Sequence, residues 1–269
     1  EYWRTRVDDN GNFPAPDADW NAYFNYFGYP NSRSTLSVSG NWQPLGPVAL
    51  PANFTGQPNG NGRINAIAFH PTDSNKIYVG APQGGLWSTS DGGLTWVSNT
   101  DNLPTLGVSA ILIDYTNPNI MYIGSGDRDA GDSQGLGILK STNGGSTWTQ
   151  INTGLGNVTV GMMEMNKKNP NIIIAATSSG IFKTFNGGTS WSRKSSNTNN
   201  YKDVKYHPTD TSIVYAVEGV IFYRSTDGGN TFAAVNGGTT GLTTTGNRAV
   251  IGVSPAAPDM VYVLQSNEI

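Results

Sequence analysis

The sequence predicts an all-β protein of the β-propeller class, in which four-stranded sheets, the blades, are arranged around an axis. Four segments are near copies of one another, and each ends in an aromatic residue: 90–96, 142–148, 185–191 and 226–232. Their closing aromatic residues lie 52, 43 and 41 positions apart, a spacing typical of propeller blades. The 34 glycines, the 15 prolines and the charged fraction of only 13% also favour a turn-rich β protein.

Every repeat is predicted to contain the same elements in the same order. A first strand is followed by a turn built on proline, and these strands lie at 64–69, 110–115, 162–166, 204–206 and 249–253. Second strands are predicted at 77–80, 120–124, 172–176, 213–217 and 260–264, and third strands at 86–88, 138–141, 181–184 and 221–225. An Asp-Gly-Gly or Asn-Gly-Gly turn then leads into a short fourth strand, because glycine adopts positive φ without a steric penalty.

These glycine turns resemble the Asp-box, or BNR repeat, with the pattern Ser-x-Asp-x-Gly-x-Thr-Trp. The resemblance extends from about Trp42 to the C-terminus. The family includes sialidases, sortilin-type receptors, xyloglucan hydrolases and photosystem assembly factors, and membership would imply that the box is a structural hairpin remote from any active site. Structural roles are therefore expected for the turn residues and the closing aromatics: Asp91, Asn143, Asn186, Asp227, Trp96, Trp148, Trp191 and Phe232.

Two regions are predicted, an N-terminal segment at 1–41 and the blades at 42–269. The first does not follow the repeat and contains a short helix with an aromatic stripe at Trp20, Tyr23, Phe24 and Phe27. The second contains four full units and a fifth that stops after its second strand, which predicts the N-terminal part of a ring with six or more blades. Because residue 1 is glutamate, we expect a processed chain or a fragment.

Several segments are similar to those of large secreted Bacteroidota surface proteins that carry Asp-box propellers. These segments are 3–8, 11–14, 61–71 and 84–87. The resemblance implies secretion or a place on the outer cell surface, a C-terminal sorting domain for type 9 secretion, and a partner in the outer-membrane secretion machinery.

Composition excludes several other functions. The net charge of −3 and the lack of a long basic run argue against a nucleic-acid partner. The chain has no cysteine, which excludes disulfides and thiolate metal sites. No apolar run reaches the length of about 18 residues that a transmembrane helix needs.

Blade 2 carries an insertion of about nine residues between its second and third strands, at 125–135. In propellers this loop lies on the face where ligands usually bind. Asp127, Asp129 and Asp132 offer the hard oxygen ligands that Ca²⁺ prefers, which predicts a calcium site. Two alternatives stay open, a solvated or partner-binding loop that Arg128 neutralises in part, and catalytic carboxylates.

The candidate ligand-binding residues are Arg63, Gln83, Trp87 and Arg128. No catalytic residue is predicted, because Pro82 stands where xyloglucan hydrolases of this fold carry a catalytic aspartate. The sequence also lacks the Phe-Arg-Ile-Pro motif of sialidases. His70 and His207 lie at equivalent places in two blades and are predicted to be turn residues.

The sequence thus favours a binding or scaffold propeller that recognises a glycan or a protein partner, since the repeats show no catalytic constellation. A second hypothesis is a secreted glycoside hydrolase whose two carboxyl groups lie partly in further blades. A third is a client or component of an outer-membrane secretion complex.

Overall fold

The computed structural model describes residues 62–131, 133–235, 242 and 248–266. The chain divides into two compact units, Glu1–Asn61 and Gly62–Ile269, and all described residues belong to the second. The predicted N-terminal segment, its helix and its boundary at residue 41 lie outside the described residues, as does Asp132.

The described strands are grouped by blade. Blade 1 contains β1 (Ala66–Phe69), β2 (Ile77–Ala81), β3 (Gly85–Thr89) and β4 (Val97–Ser98). Blade 2 contains β5 (Val108–Ile113), β6 (Met121–Ser125), β7 (Ile138–Ser141) and β8 (Thr149–Gln150). Blade 3 contains β9 (Val160–Met165), β10 (Ile173–Thr177), β11 (Gly180–Thr184) and β12 (Ser192–Arg193). Blade 4 contains β13 (Tyr201–Tyr206), β14 (Val214–Glu218), β15 (Ile221–Ser225) and β16 (Ala233–Ala234), and blade 5 contains β17 (Arg248–Ser254) and β18 (Ala257–Ser266).

Blades 1 to 4 are antiparallel four-stranded sheets whose strands follow chain order, and blade 5 is a two-stranded hairpin. The first strand of each blade packs against the first strand of the next. This arrangement confirms the predicted all-β propeller architecture. The described ranges contain no helix, and so none with the length and apolar character that a membrane crossing requires.

The apolar core lies in the seams between neighbouring blades. Leu86 of blade 1 packs with Met121 and Ile123 of blade 2. Ile174 of blade 3 packs in the same way with Val204 of blade 4. Full burial of one such side chain contributes about 1.5–3 kcal/mol, so the seams stabilise the order of the blades as well as each sheet.

The aromatic residue that closes each glycine turn packs into a seam or lies at its edge. Trp191 is 5% exposed and donates its indole N–H to the Ile151 carbonyl of blade 2, at 2.9 Å. Trp148 packs on the cluster between blades 1 and 2, and Phe232 on the cluster between blades 3 and 4. Trp96 is 38% exposed and donates its indole N–H within its own turn.

A side-chain oxygen organises each glycine turn. Asp91 accepts the Thr95 backbone N–H at 2.9 Å and the Thr95 hydroxyl at 2.6 Å. In blade 2, Asn143 accepts the Thr147 N–H at 2.9 Å but donates its own amide to the Thr147 hydroxyl oxygen, also at 2.9 Å. Asparagine therefore reverses one hydrogen bond and keeps the turn.

The two histidines begin proline turns. His207 Nδ1 accepts the backbone N–H groups of residues 209 and 210, at 3.3 and 3.1 Å. His70 Nδ1 accepts the N–H of residue 72. Asp114 and Asn166 accept the corresponding N–H groups in blades 2 and 3 through their side-chain oxygens. In this geometry the imidazoles serve as caps of the turn.

Candidate functional site

Three blades carry a β-bulge near the beginning of the first strand, where the pairing register shifts by one residue. The extra residues are Ser109 in blade 2, Gly161 in blade 3 and Lys202 in blade 4, and Asn65 lies at the equivalent place in blade 1. A bulge redirects a residue out of the regular ladder. Because of these bulges, the first strands β5, β9 and β13 begin earlier in the sequence than the apolar pattern predicts.

The blade 2 insertion lies against these bulge positions. Gly126, its second residue, has a φ of 95°, and its carbonyl accepts the Ser109 hydroxyl at 2.6 Å. The Asp127 side chain is fully buried, forms an ion pair with Arg63, and accepts the Asn65 amide at 3.1 Å. It also accepts the backbone N–H groups of residues 129 and 130 at 3.0 and 3.2 Å.

Arg128 connects the loop to four blades. Its guanidinium donates to the Gly161 carbonyl of blade 3 and to the Asn65 carbonyl of blade 1, both at 3.0 Å. Its backbone N–H donates to the Ser109 hydroxyl of blade 2, and its carbonyl accepts the Lys202 ammonium of blade 4. Position 161 has to be glycine, because a Cβ there would lie 2.7 Å from the carbonyl oxygen of residue 202.

Asp129 adds the fifth blade. Its carboxylate lies 2.6 Å from a guanidinium nitrogen of Arg248, at the start of β17, and 3.6 Å from Arg128 Nε. Residues 127–129, which we call the clasp, therefore contact the beginning of the first strand in all five described blades. Burial lowers the pKa of the nearby Lys202, and the charge of Asp129 acts in the opposite direction.

The clasp engages two of the three carboxylates that the calcium prediction uses. Asp127 is paired with Arg63, and Asp129 with Arg128 and Arg248. In the part of the chain that the structure describes, no group of three or more Asp, Glu, His or Cys side chains could hold a metal ion. Asp132 lies outside that part, so the calcium site stays a prediction.

The four candidate ligand-binding residues do not all meet. Arg63 and Arg128 converge on Asp127 and Asn65, as part of the clasp contacts. Gln83 is exposed in the β2–β3 turn. The carbonyl of the preceding residue, Pro82, accepts the Ser133 hydroxyl from the insertion. Trp87 lies on β3 opposite Val79 and is 38% exposed.

Sequence reasoning missed the residues that hold the clasp in place. They are Asn65, Ser109, Lys202 and Arg248. The first three occupy one equivalent position of the repeat, just before or inside the predicted first strand. A polar residue repeated at the beginning of otherwise apolar first strands is the signal that would have identified them.

A groove lies beside the clasp, between blades 2 and 3. It has a volume of about 420 Å³ and is lined by the described residues 131, 133–136, 157–159 and 178. Ser133, Gln134, Asn157, Thr159 and Ser178 supply hydroxyl and amide groups, and none of these nine lining residues carries a formal charge. Gln134 and Asn157 are exposed.

No protein-family model matches the chain. Over 145 residues it is 30% identical to the xyloglucanase Xgh74A of Acetivibrio thermocellus, a match that covers 45% of this chain and 16% of that protein. The chain thus spans about one sixth of the length of this curated relative. Another xyloglucanase, from Hypocrea jecorina, is 29% identical over 126 residues, which are 38% of this chain and 14% of that protein.

Solved structures give a similar result at lower identity. The GH74 enzyme of Niastella koreensis superposes with a TM-score of 0.56 at 24% identity, covering 77% of this chain and 34% of the enzyme. YCF48 bound to D1 peptide superposes with a TM-score of 0.51 at 18% identity, covering 72% of this chain and 59% of YCF48. The chain is a β-propeller. At these identities the structural similarities establish the fold and nothing about activity.

Proposed function

We propose that this chain is a carbohydrate-binding propeller that holds an uncharged, hydroxyl-rich glycan in the groove beside the clasp. The observation that carries the proposal is the described lining of the groove, whose side chains offer hydroxyl and amide groups without formal charge. Such groups both donate and accept hydrogen bonds, as sugar hydroxyls do. The volume of about 420 Å³ falls in the usual range for ligand sites, about 300–1,000 Å³.

The clasp supports this function by fixing one wall of the groove. Residues 133–135 belong to the same insertion, and the contacts of residues 127–129 with five blades restrain the loop where it begins. Binding to an ordered wall costs less conformational entropy, because the ligand does not have to order the loop. We place this activity outside the cell or on its surface, as the sequence predicts.

The relatives suggest the first ligand to test. The names of the curated relatives say that they act on xyloglucan, a neutral polysaccharide that suits a groove whose described lining carries no charge. The expected behaviour is retention without cleavage, because Pro82 occupies the turn after β2 and the Asp127 carboxylate is held by a guanidinium. A carboxylate paired with a guanidinium is a poor general acid.

The test is affinity electrophoresis of the purified chain in gels with and without xyloglucan. Retardation should be saturable and should weaken about fivefold in Asn157→Ala, the loss of about one hydrogen bond. Asn169→Ala is the matched control, since Asn169 is exposed at the other end of β9 and should bind as the parent does. No retardation with any neutral polysaccharide, or equal loss in both variants, would refute the proposal.

A glycoside hydrolase remains the second candidate, and the xyloglucanase relatives are the observation that favours it. This activity needs two carboxyl groups, one of them protonated, on either side of the sugar bond. Release of reducing ends by the parent and its loss by orders of magnitude in Asp129→Asn would establish hydrolysis. A parent that binds xyloglucan and releases none would support the binding function.

A further inference from the structure

A second cleft lies at the far end of the blades from the groove. It has a volume of about 340 Å³. It is lined by residues from the first strands of blades 3, 4 and 5 and from the proline turns that follow them. The groove contacts residues 157–159, just before β9, whereas this cleft contacts Glu164 and Lys167, at and after its end. A six-residue strand spans about 20 Å, so one ligand of modest size cannot occupy both places.

We propose that this cleft binds a small molecule that carries one carboxylate and an apolar tail. Lys167 and Lys205 line it with a single acidic residue, Glu164, so the described lining has an excess of one positive charge. Ile251 and Val253 of β17 supply an apolar wall. This proposal does not depend on the glycan-binding function, which uses the opposite end of the blades.

The two ammonium groups are not equivalent. Lys205 Nζ lies 2.7 Å from a Glu164 carboxylate oxygen, and both side chains are largely buried. Lys167 Nζ donates to the Pro208 carbonyl at 3.1 Å, while the residue as a whole is exposed. A carbonyl does not neutralise a charge, so Lys167 keeps the positive charge that a carboxylate would meet.

Tyr206 also lines the cleft and carries a neutral hydrogen-bond donor. The residue is 3% exposed, and among the described residues its phenolic oxygen makes no hydrogen bond of normal geometry. Burial raises the pKa of this phenol to about 12, and donation from the Asn166 side-chain amide to the phenolic oxygen acts in the opposite direction. Among the described residues the Tyr206 O–H has no acceptor of normal geometry, which is costly for a buried hydroxyl, and a carboxylate oxygen would accept its proton.

The test is a ligand-observed NMR titration of the chain with hexanoate and with hexanamide, its neutral counterpart. Hexanoate should bind saturably, and hexanamide should bind about fivefold more weakly or worse. Lys167→Met should weaken hexanoate binding about fivefold, and the neighbouring Lys168→Met should not, because Lys168 does not line the cleft. Equal binding of the two ligands, equal effects of the two variants, or no saturable binding at tens of millimolar would overturn the proposal.

Tyr206→Phe separates a ligand contact from a structural role. If the hydroxyl serves the ligand, hexanoate affinity falls by about threefold while the melting temperature stays the same or rises, because an unpaired buried hydroxyl has been removed. A clear drop in melting temperature with unchanged affinity would instead assign the hydroxyl to the fold and contradict its place in the site.

Discussion

Arg248 donates to the Asp129 carboxylate at 2.6 Å and thereby joins the first strand of blade 5 to the insertion of blade 2. The two residues lie three blades apart in the chain, and neither belongs to a predicted hairpin. The contact completes the clasp, in which one three-residue segment meets five first strands. The insertion is therefore a surface loop that also connects the five described blades to one another.

The ion pair between Arg248 and Asp129 should be measurable by a double-mutant cycle. The side chains are 35% and 17% exposed, so solvent screens the pair and we expect a coupling free energy of about 1 kcal/mol. Arg248→Met and Asp129→Asn, alone and together, are compared by urea unfolding, and Arg193→Met on exposed β12 is the control. Additive effects of the two changes would contradict the pairing.

Two lysines tie neighbouring blades together from equivalent positions of the third strand. Lys140 of blade 2 donates to the Gly187 carbonyl at 2.9 Å, and Lys183 of blade 3 donates to the Gly228 carbonyl at 2.8 Å. Burial lowers the pKa of both lysines, most directly through loss of hydration of the ammonium group. Each bond thus connects a blade to the glycine turn of the next one.

Lys183→Met should therefore lower the free energy of unfolding by about 1.5 kcal/mol, the usual contribution of a hydrogen bond to a charged group. Arg224→Met is the matched control, because Arg224 has the same register in blade 4 but is exposed, and it should cost less than about 0.5 kcal/mol. Urea unfolding of both variants checks this, and equal losses would show that the lysine is not a specific tie.

The proline turn at His207 offers a test built from the chain's own repeats. Asn166 accepts the same two backbone N–H groups in blade 3, so His207→Asn should keep the turn and change stability by less than about 0.5 kcal/mol. His207→Ala removes the acceptor and should cost about 1 kcal/mol. If asparagine and alanine destabilise the chain equally in thermal melts, the imidazole does not cap the turn.

The glycine turns predict a specific acid sensitivity. The Thr95 hydroxyl, then the Thr95 N–H and the Thr89 hydroxyl, hold the pKa of Asp91 well below its usual range. A depressed folded-state pKa stabilises the chain above the unfolded pKa of about 3.9, and this contribution disappears as the pH falls further. Asp91→Asn copies the natural Asn143 of blade 2 and lacks the charge.

The difference in melting temperature between the parent and Asp91→Asn should therefore be largest near neutral pH and shrink below a pH of about 4. Asp101→Asn serves as a control, because Asp101 lies outside the glycine turns. A difference that stays constant from neutral to acid pH would show that the carboxylate is not preferentially stabilised in the folded turn.

The sequence predicted the blades well, because the features that define them are local. Asp-Gly and Asn-Gly turns and short apolar strands depend on neighbouring residues, and the third strands of blades 2 and 4 begin and end at the predicted residues, Ile138–Ser141 and Ile221–Ser225. The first strands were less accurate. Ser109, Gly161 and Lys202 interrupt the apolar pattern at the bulges, and a bulge follows from tertiary contacts.

The site could be predicted only in part. The length of the insertion marked the loop that contains the clasp, and Arg128 was expected to neutralise its acidic residues in part. The ion pairs of Asp127 with Arg63 and of Asp129 with Arg248 could not be read from spacing, because they join residues from different blades. For the same reason the groove, which combines the insertion, the segment before β9 and Ser178, has no signature in the sequence.

Hydrogen exchange with and without a saturating xyloglucan oligosaccharide is the most direct test of the proposed groove. Exchange should slow at residues 133–136, 157–159 and 178, which line the groove, and should stay unchanged at the proline turns at the far end of the blades. Protection confined to other parts of the chain, or no protection at saturation, would contradict the assignment of the glycan to this groove.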